Sequence, residues 1–264
     1  MSSKQKELAN EIAIVTSRVA DLIRPHTDTS LPIKQSTWTI GTAIAHLIIS
    51  QKVTRKILQG EKNPYADAKP ETVAAMNEKL LSEFIERDGK KLATMLVIET
   101  DALLKEANRL NDDFTVQTHF GSMDMQTCFA HNLFHLLLHG SIVGQTLNKP
   151  LPIDQKHMVM VLPFLKQAML VTYDAEAAGD FVGTYTIHLK DNEEFSIVCN
   201  QETITVEDGT ASTVDCHIYA DPIVYFLLTI GAVNPLQPIL QGKLRVGGPK
   251  PWLALRLTKL FRSP

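Results

Sequence analysis

The chain is poor in the features that would assign it quickly. Of its 264 residues only three are cysteines, Cys128, Cys199 and Cys216, far apart and in no CxxC arrangement. So sparse and odd a set argues against a disulfide framework and fits a reducing compartment. There is no basic excess: the formal charge is −3, whereas nucleic-acid-binding domains carry a clear positive surplus. No uncharged apolar run reaches the ~18 residues of a membrane span. The N-terminal MSSKQKELANEIAIV mixes acids and bases among its apolar positions, unlike a secretory signal. A cytoplasmic protein with neither a nucleic-acid partner nor a membrane span is the expectation.

What remains is ordinary globular material, 44% hydrophobic and 21% charged, long enough for two domains. Up to residue 150 the apolar period is helical. Leu8, Ile12, Ile14, Val15, Val19, Leu22 and Ile23 recur at the spacing of an amphipathic helix, which Pro25 stops. After the polar PHTDTSLPIKQ, a second helix starts near Ser36 or Thr37 and ends at Gly60. Residues 61–70, with two prolines, read as a loop. A third helical pattern runs from Glu71 to about Leu110, with a break near Asp88-Gly89, and a fourth from Ser122 to Leu147, apolar over most of its circumference. Four helices in this length predict a four-helix bundle over 1–150.

Beyond residue 150 the period changes. One more helix is expected at about 154–172. VGTYTIHL, EFSIVCN, ETITVEDG and STVDCHIYAD then read as strands of an antiparallel meander, with Asp-Asn, Gln and Asp-Gly at the turns. PIVYFLLTIGA reads as a helix, KLRVGG as a last strand and PWLALRLTKLF as an amphipathic closing helix. The second domain, 151–264, is α+β.

The nine histidines are unevenly placed. His131, His135 and His139 follow at four-residue steps on the fourth helix, hence on one face. His46 sits in the apolar TAIAHLIIS of the second helix. Two imidazoles one turn apart can reach one ion, and a third from a neighbouring helix completes a set that suits zinc, nickel, copper or iron and leaves a position for water or substrate. For any one of these histidines taken alone, a hydrogen-bonded core position is the commoner role. Several buried imidazoles without partners are costly, which favours the metal reading for the group.

STWTIGTAIAHLI and AHNLFHLLLHG resemble the second-helix and last-helix signatures of the DinB-like superfamily. In its mycothiol-dependent maleylpyruvate isomerase branch the second signature reads E-x-x-x-H-G. DPIVYFLLTIGAVNPLQPILQGKLRVGGPKPWLALRLTKLF resembles the end of the sterol-carrier-protein-2 (SCP2) fold. The resemblance implies an up-down-down-up DinB-like bundle followed by a smaller SCP2-like α+β domain with an antiparallel sheet. It also implies a metal held by His46, His135 and His139, with zinc the expected ion and nickel the alternative. His135 takes a place held by glutamate in that branch, which raises the charge of the site, and His131 has no assigned place. The implied function is a metal-dependent isomerase or S-transferase that uses a low-molecular-weight thiol such as mycothiol on a small electrophilic, carboxylate-bearing substrate. The alternative is a non-enzymatic carrier of apolar ligands with a structural metal. Homodimerisation is left open.

One further absence is informative. After Asp221 no acidic residue occurs, while Lys243, Arg245, Lys250, Arg256, Lys259 and Arg262 are basic. Such a segment attracts carboxylates. Arg245, alternating with Leu244 and Val246 on a short strand, is the candidate catalytic residue; Lys259 and Arg262 fit a solvated face. The cysteines read as inert packing groups, with Cys128 two turns before His135 kept open. Trp38 and Trp252 read as core or interface anchors.

Overall fold

The computed structural model describes residues 1–34, 36–65, 70–111, 113–190 and 193–262. Gln35 at the end of the first expected loop, residues 66–69 of the second and the expected Asp191-Asn192 turn lie outside them. The chain divides into two compact units, Met1–Ile153 and Asp154–Pro264.

The first unit opens with α1 (Ser3–Ile23), nucleated by a reciprocal cap. Ser2 Oγ accepts from the Gln5 amide and Gln5 Oε1 accepts from the Ser2 amide, so two otherwise orphaned donors are satisfied together. The second helix, α2 (Ile40–Leu58), begins later than Ser36 or Thr37. Pro32 bridges to Thr39 and the Ile33 amide donates to the Trp38 carbonyl, which holds Ser36, Thr37 and Trp38 out of the helix. Thr39 is therefore the cap, accepting from the Thr42 amide at 3.2 Å. Such a cap stabilises a helix by about 1 kcal/mol.

The long pattern from Glu71 resolves into α3 (Pro70–Ser82) and α4 (Gly89–Ala107). The break has a steric cause as well as a cap: Asp88 accepts from the Lys91 amide, and a Cβ at Gly89 would lie 2.1 Å from the His26 carbonyl oxygen. The last helix, α5 (Met125–Thr146), starts three residues after Ser122. Residues before it pair as a short antiparallel hairpin, β1 (Thr115–Thr118) with β2 (Gly121–Asp124), and Asp124 caps the helix that follows. In the bundle α1 and α2 each pack on both α4 and α5. Ile12, Val15, Val19, Ile44, Leu47, Leu92, Leu96, Leu103, Leu133, Leu136 and Leu137 make its core.

The second unit begins with α6 (Gln155–Thr172), capped by Asp154, and the short α7 (Ala175–Ala178). Its five strands are β3 (Val182–Leu189), β4 (Glu194–Asn200), β5 (Thr203–Asp208), β6 (Cys216–Ala220) and β7 (Leu244–Gly247), in the order β5-β4-β3-β6-β7. Between β6 and β7 run α8 (Pro222–Thr229) and α9 (Leu236–Leu240). The expected closing helix is shorter than its pattern, one turn of α10 (Ala254–Leu257) flanked by single 3-10 turns.

The sheet is antiparallel at three of its four pairings; β6 runs parallel to β3. A simple meander would have placed β6 beside β5. Instead residues 209–215 cross back over the sheet. The buried Ser196 hydroxyl donates to the Gly209 carbonyl and accepts from the Ala211 amide, and the Asp215 amide donates to the Thr184 carbonyl. Tyr185, Ile187, Phe195, Ile197, Cys199 and Cys216 are fully buried, the alternate positions of their strands. The opposite face carries Thr186, His188, Ser196, His217 and Tyr219, placed side by side by the same registers.

Gly144 shows how tightly α5 is turned. A Cβ there would lie 2.6 Å from the Lys149 carbonyl oxygen and 2.9 Å from the Leu151 amide nitrogen, both backbone atoms. Gly144→Ala should therefore destabilise by about 1–3 kcal/mol, the usual scale of overpacking, read as a lowered urea midpoint. Gly140→Ala should cost less, because its new methyl would meet the ends of the Val19 and Leu151 side chains.

Candidate metal centre

The bundle leaves α5 with two unlike faces. Leu133, Leu136, Leu137, Gly140 and Gly144 are buried, whereas His131, His135 and His139 are only half-buried, one stripe at four-residue steps. α2 packs on α5 and presents His46, which is 8% exposed.

Three of these side chains converge. One ring nitrogen from each of His46, His135 and His139 lies within 4.8 Å of the other two. The Nε2 atoms of His46 and His135 are 2.9 Å apart. Ring centroids are 4.7 Å apart for His46 and His135, 5.0 Å for His46 and His139, and 4.7 Å for His135 and His139, each pair edge to face. Zinc–nitrogen bonds of about 2.0–2.1 Å in tetrahedral geometry hold donors roughly 3.3–3.4 Å apart, a spacing within the 4.8 Å that encloses all three nitrogens and slightly above the 2.9 Å between His46 and His135. The donor set therefore fits a borderline divalent cation. Among the described residues no fourth histidine, cysteine or carboxylate joins the cluster.

Electrostatics keep the nitrogens available. Burial lowers His46 to about 4. His135 and His139 are driven well below the ordinary histidine value, first by burial and then by the neighbouring imidazoles. Each is neutral at pH 7, the form that binds a cation. His131 stacks on His135 at 5.8 Å but stays outside the converging set; burial, with His119 and His46, lowers it to about 3.

Sequence reasoning undervalued one group and missed another. Trp38 packs against Ala45, Ile49 and Leu81 as an anchor, yet its ring also stacks on His139 at 5.7 Å and leans on His46 at 4.9 Å. Its sequence signal is its place in STWTIGTAIAHLI, the segment that carries His46. His119, at the turn of the β1–β2 hairpin, touches Phe120 and Tyr65, and Phe120 meets His131 edge-on. No spacing rule reaches across that hairpin. Trp252 is 64% exposed, so it is no core residue of its unit. The three cysteines are free and buried, and burial pushes the Cys128 thiol up to about 12, far from a reactive thiolate.

Arg245 lies in the second unit, exposed on β7 opposite Tyr219, with its guanidinium 5.9 Å from that ring. Other members of the basic segment are engaged locally. Lys250 pairs with Asp215, Arg256 donates to the Ala178 carbonyl, and Arg262 pairs with Asp174, so Arg262 is tied down more than the solvated reading implied.

Residues 165–262 match the SCP-2 sterol transfer family. Among solved structures, the mycothiol-dependent maleylpyruvate isomerase superposes with a TM-score of 0.54 over 88% of this chain and 93% of that one, at 13% identity. The chain shares that fold. A histidine-to-alanine mutant of the isomerase gives 0.53 over 86% and 90%, at 12% identity. The chain also spans 32% of a sec-alkyl sulfatase at 11% identity and a TM-score of 0.37, covering 83% of its own length, a likeness too slight to argue from. No curated protein matches it. The isomerase-like fold and the SCP2 domain agree with the resemblance read from the three sequence segments.

The depressed histidines set a pH dependence. The unfolded chain takes up protons near 6.5 and the folded chain only near 4 at His46, so falling pH favours the unfolded state across that window. Chelator-treated protein should lose stability steadily from about pH 6.5 to about pH 4; a flat series of urea midpoints over that range would contradict the burial of neutral imidazoles.

Proposed function

We propose that the chain is a metal-dependent enzyme that uses a low-molecular-weight thiol, such as mycothiol, for isomerisation of or S-transfer to a small electrophilic, carboxylate-bearing substrate. The observation that carries this reading is the convergence of three neutral imidazoles without a fourth protein donor among the described residues. Structural zinc sites take four protein ligands, whereas catalytic ones take three and keep a position open. The fold shared with mycothiol-dependent maleylpyruvate isomerase supports the thiol as co-substrate. His46, His135 and His139 would hold a divalent ion, whose chemistry there would be to lower the pKa of a thiol to a nucleophilic thiolate at neutral pH.

The chain's own residues have separable tasks. His46, His135 and His139 present bare nitrogens because burial holds off their protons. With His135 where the resemblance places glutamate, these donors bring no negative charge, so the site favours an anionic sulfur more strongly. Trp38 walls His46 and His139 with an apolar ring and keeps water from that side. Arg245 offers a planar two-donor fork suited to a carboxylate.

A second reading rests on the SCP-2 sterol transfer match: carriage of an apolar ligand in the second unit, with the metal purely structural. Thiol-dependent turnover separates the two.

Protein as purified should hold about one divalent ion per chain, lost in His46→Ala and in His139→Ala; elemental analysis showing full retention in both would remove the site. With metal-replete protein, an electrophilic substrate should turn over with at least one of mycothiol, bacillithiol and glutathione. Silence with all three favours the carrier. In an active preparation, Arg245→Ala should raise KM for a carboxylate substrate about 10- to 100-fold, the range for a lost charge-assisted bond.

A further inference from the structure

We propose that His188 and His217, on the polar face of the SCP2-like sheet, form a second site for a divalent cation, independent of the triad in the bundle. The parallel pairing of β3 with β6 sets Thr186 beside His217 and His188 beside Tyr219, which makes the two histidines diagonal neighbours on one face. Their rings meet: His188 Nε2 lies 2.9 Å from His217 Nδ1, with centroids 5.1 Å apart. That nitrogen separation equals the one between His46 and His135.

The orientation of His188 is fixed from three directions. Its Nδ1 is 2.9 Å from Glu194 Oε1, because the β3–β4 register puts the two residues opposite each other. The other oxygen of Glu194 accepts from the Thr210 hydroxyl at 2.8 Å. Tyr219 stacks flat on the imidazole at 4.4 Å and 10°. A carboxylate that accepts a hydrogen bond from Nδ1–H keeps the proton of the neutral ring on Nδ1 and leaves Nε2 with a bare lone pair, the carboxylate–histidine arrangement that orients metal ligands and raises their basicity. Here that lone pair aims at a second imidazole nitrogen.

The site is open to solvent on one side, with the His188 side chain 16% exposed, so water can fill the remaining positions. Arg245, 5.9 Å from the Tyr219 ring, opposes a cation, and Glu194 offsets it. Two imidazoles select copper, nickel or zinc over magnesium or calcium, and two ligands bind more weakly than three. Without an ion the same contact is an imidazole N–H···N bond.

Equilibrium dialysis of the full chain against Zn2+ distinguishes these states. Wild type should take up about two equivalents, one tight and one weaker, with Glu194→Gln weakening the second about 10- to 100-fold as expected for loss of a carboxylate behind a ligand. His217→Ala and His188→Ala should remove the weaker equivalent and keep the tight one, whereas His46→Ala should do the reverse. Histidine ring signals in the NMR spectrum of His46→Ala protein give a readout that needs no change at the site: zinc should shift the two resonances that disappear in His217→Ala and His188→Ala. A weaker equivalent that is missing from wild type, that survives His217→Ala, or that leaves those resonances unmoved overturns the proposal.

Discussion

Helix α5 must bury most of its circumference against α1 and α2 while carrying three imidazoles along one edge, and the first unit is arranged around that requirement. Its apolar side is met by α1, whose Val19 side chain sits 2.6 Å from the point where a Cβ on Gly140 would stand. So close an approach is open only to small residues. The edge that remains faces α2. A neutral imidazole in such a place loses hydration and must regain it from a partner, and the partners offered are other imidazoles and the Trp38 ring. The convergence of His46, His135 and His139 is thus a solution to a packing problem as well as a candidate site.

The second unit solves a comparable problem with hydroxyls instead. The Thr186 and Ser196 side chains are both fully buried on the face of the sheet away from its apolar core, 2.9 Å from each other. Residues 209–215 roof them with backbone groups. Beyond the roof the same face opens and carries His188, Glu194, His217, Tyr219 and Arg245. Polar side chains there lie in registered rows, so a chemical cluster arises from strand pairing alone, without any local motif.

Periodicity made the bundle legible because a helix writes its buried face into residues three and four apart. The four-residue histidine steps, the apolar stripe of α1 and the Asp88-Gly89 interruption were all readable on that basis. Strand existence was readable for the same kind of reason, since Tyr185, Ile187 and Leu189 alternate with Thr184, Thr186 and His188. Pairing was not. Nothing in residues 203–220 says that β6 skips its sequence neighbour to lie parallel to β3, because that choice is made by contacts such as Ser196 with Ala211 that bind distant residues. The β1–β2 hairpin has no such signature because its strands are four residues each, too short to show alternation. The helices start at Ile40 and Met125, later than the expected Ser36 or Thr37 and Ser122, because several residues of capping type stand in a row, and the Pro32–Thr39 bridge and the hairpin decide among them.

The crossover that lays β6 against β3 has a consequence for how the protein comes together. A parallel pairing cannot be closed by a tight hairpin, so β3 meets β6, with Tyr185 opposite Cys216, only when the chain between them loops out and returns across the sheet. Only that closure brings the rings of His188 and His217 within 2.9 Å. Their contact therefore reports that the crossover has closed, and a chain in which only β3, β4 and β5 had paired would lack it.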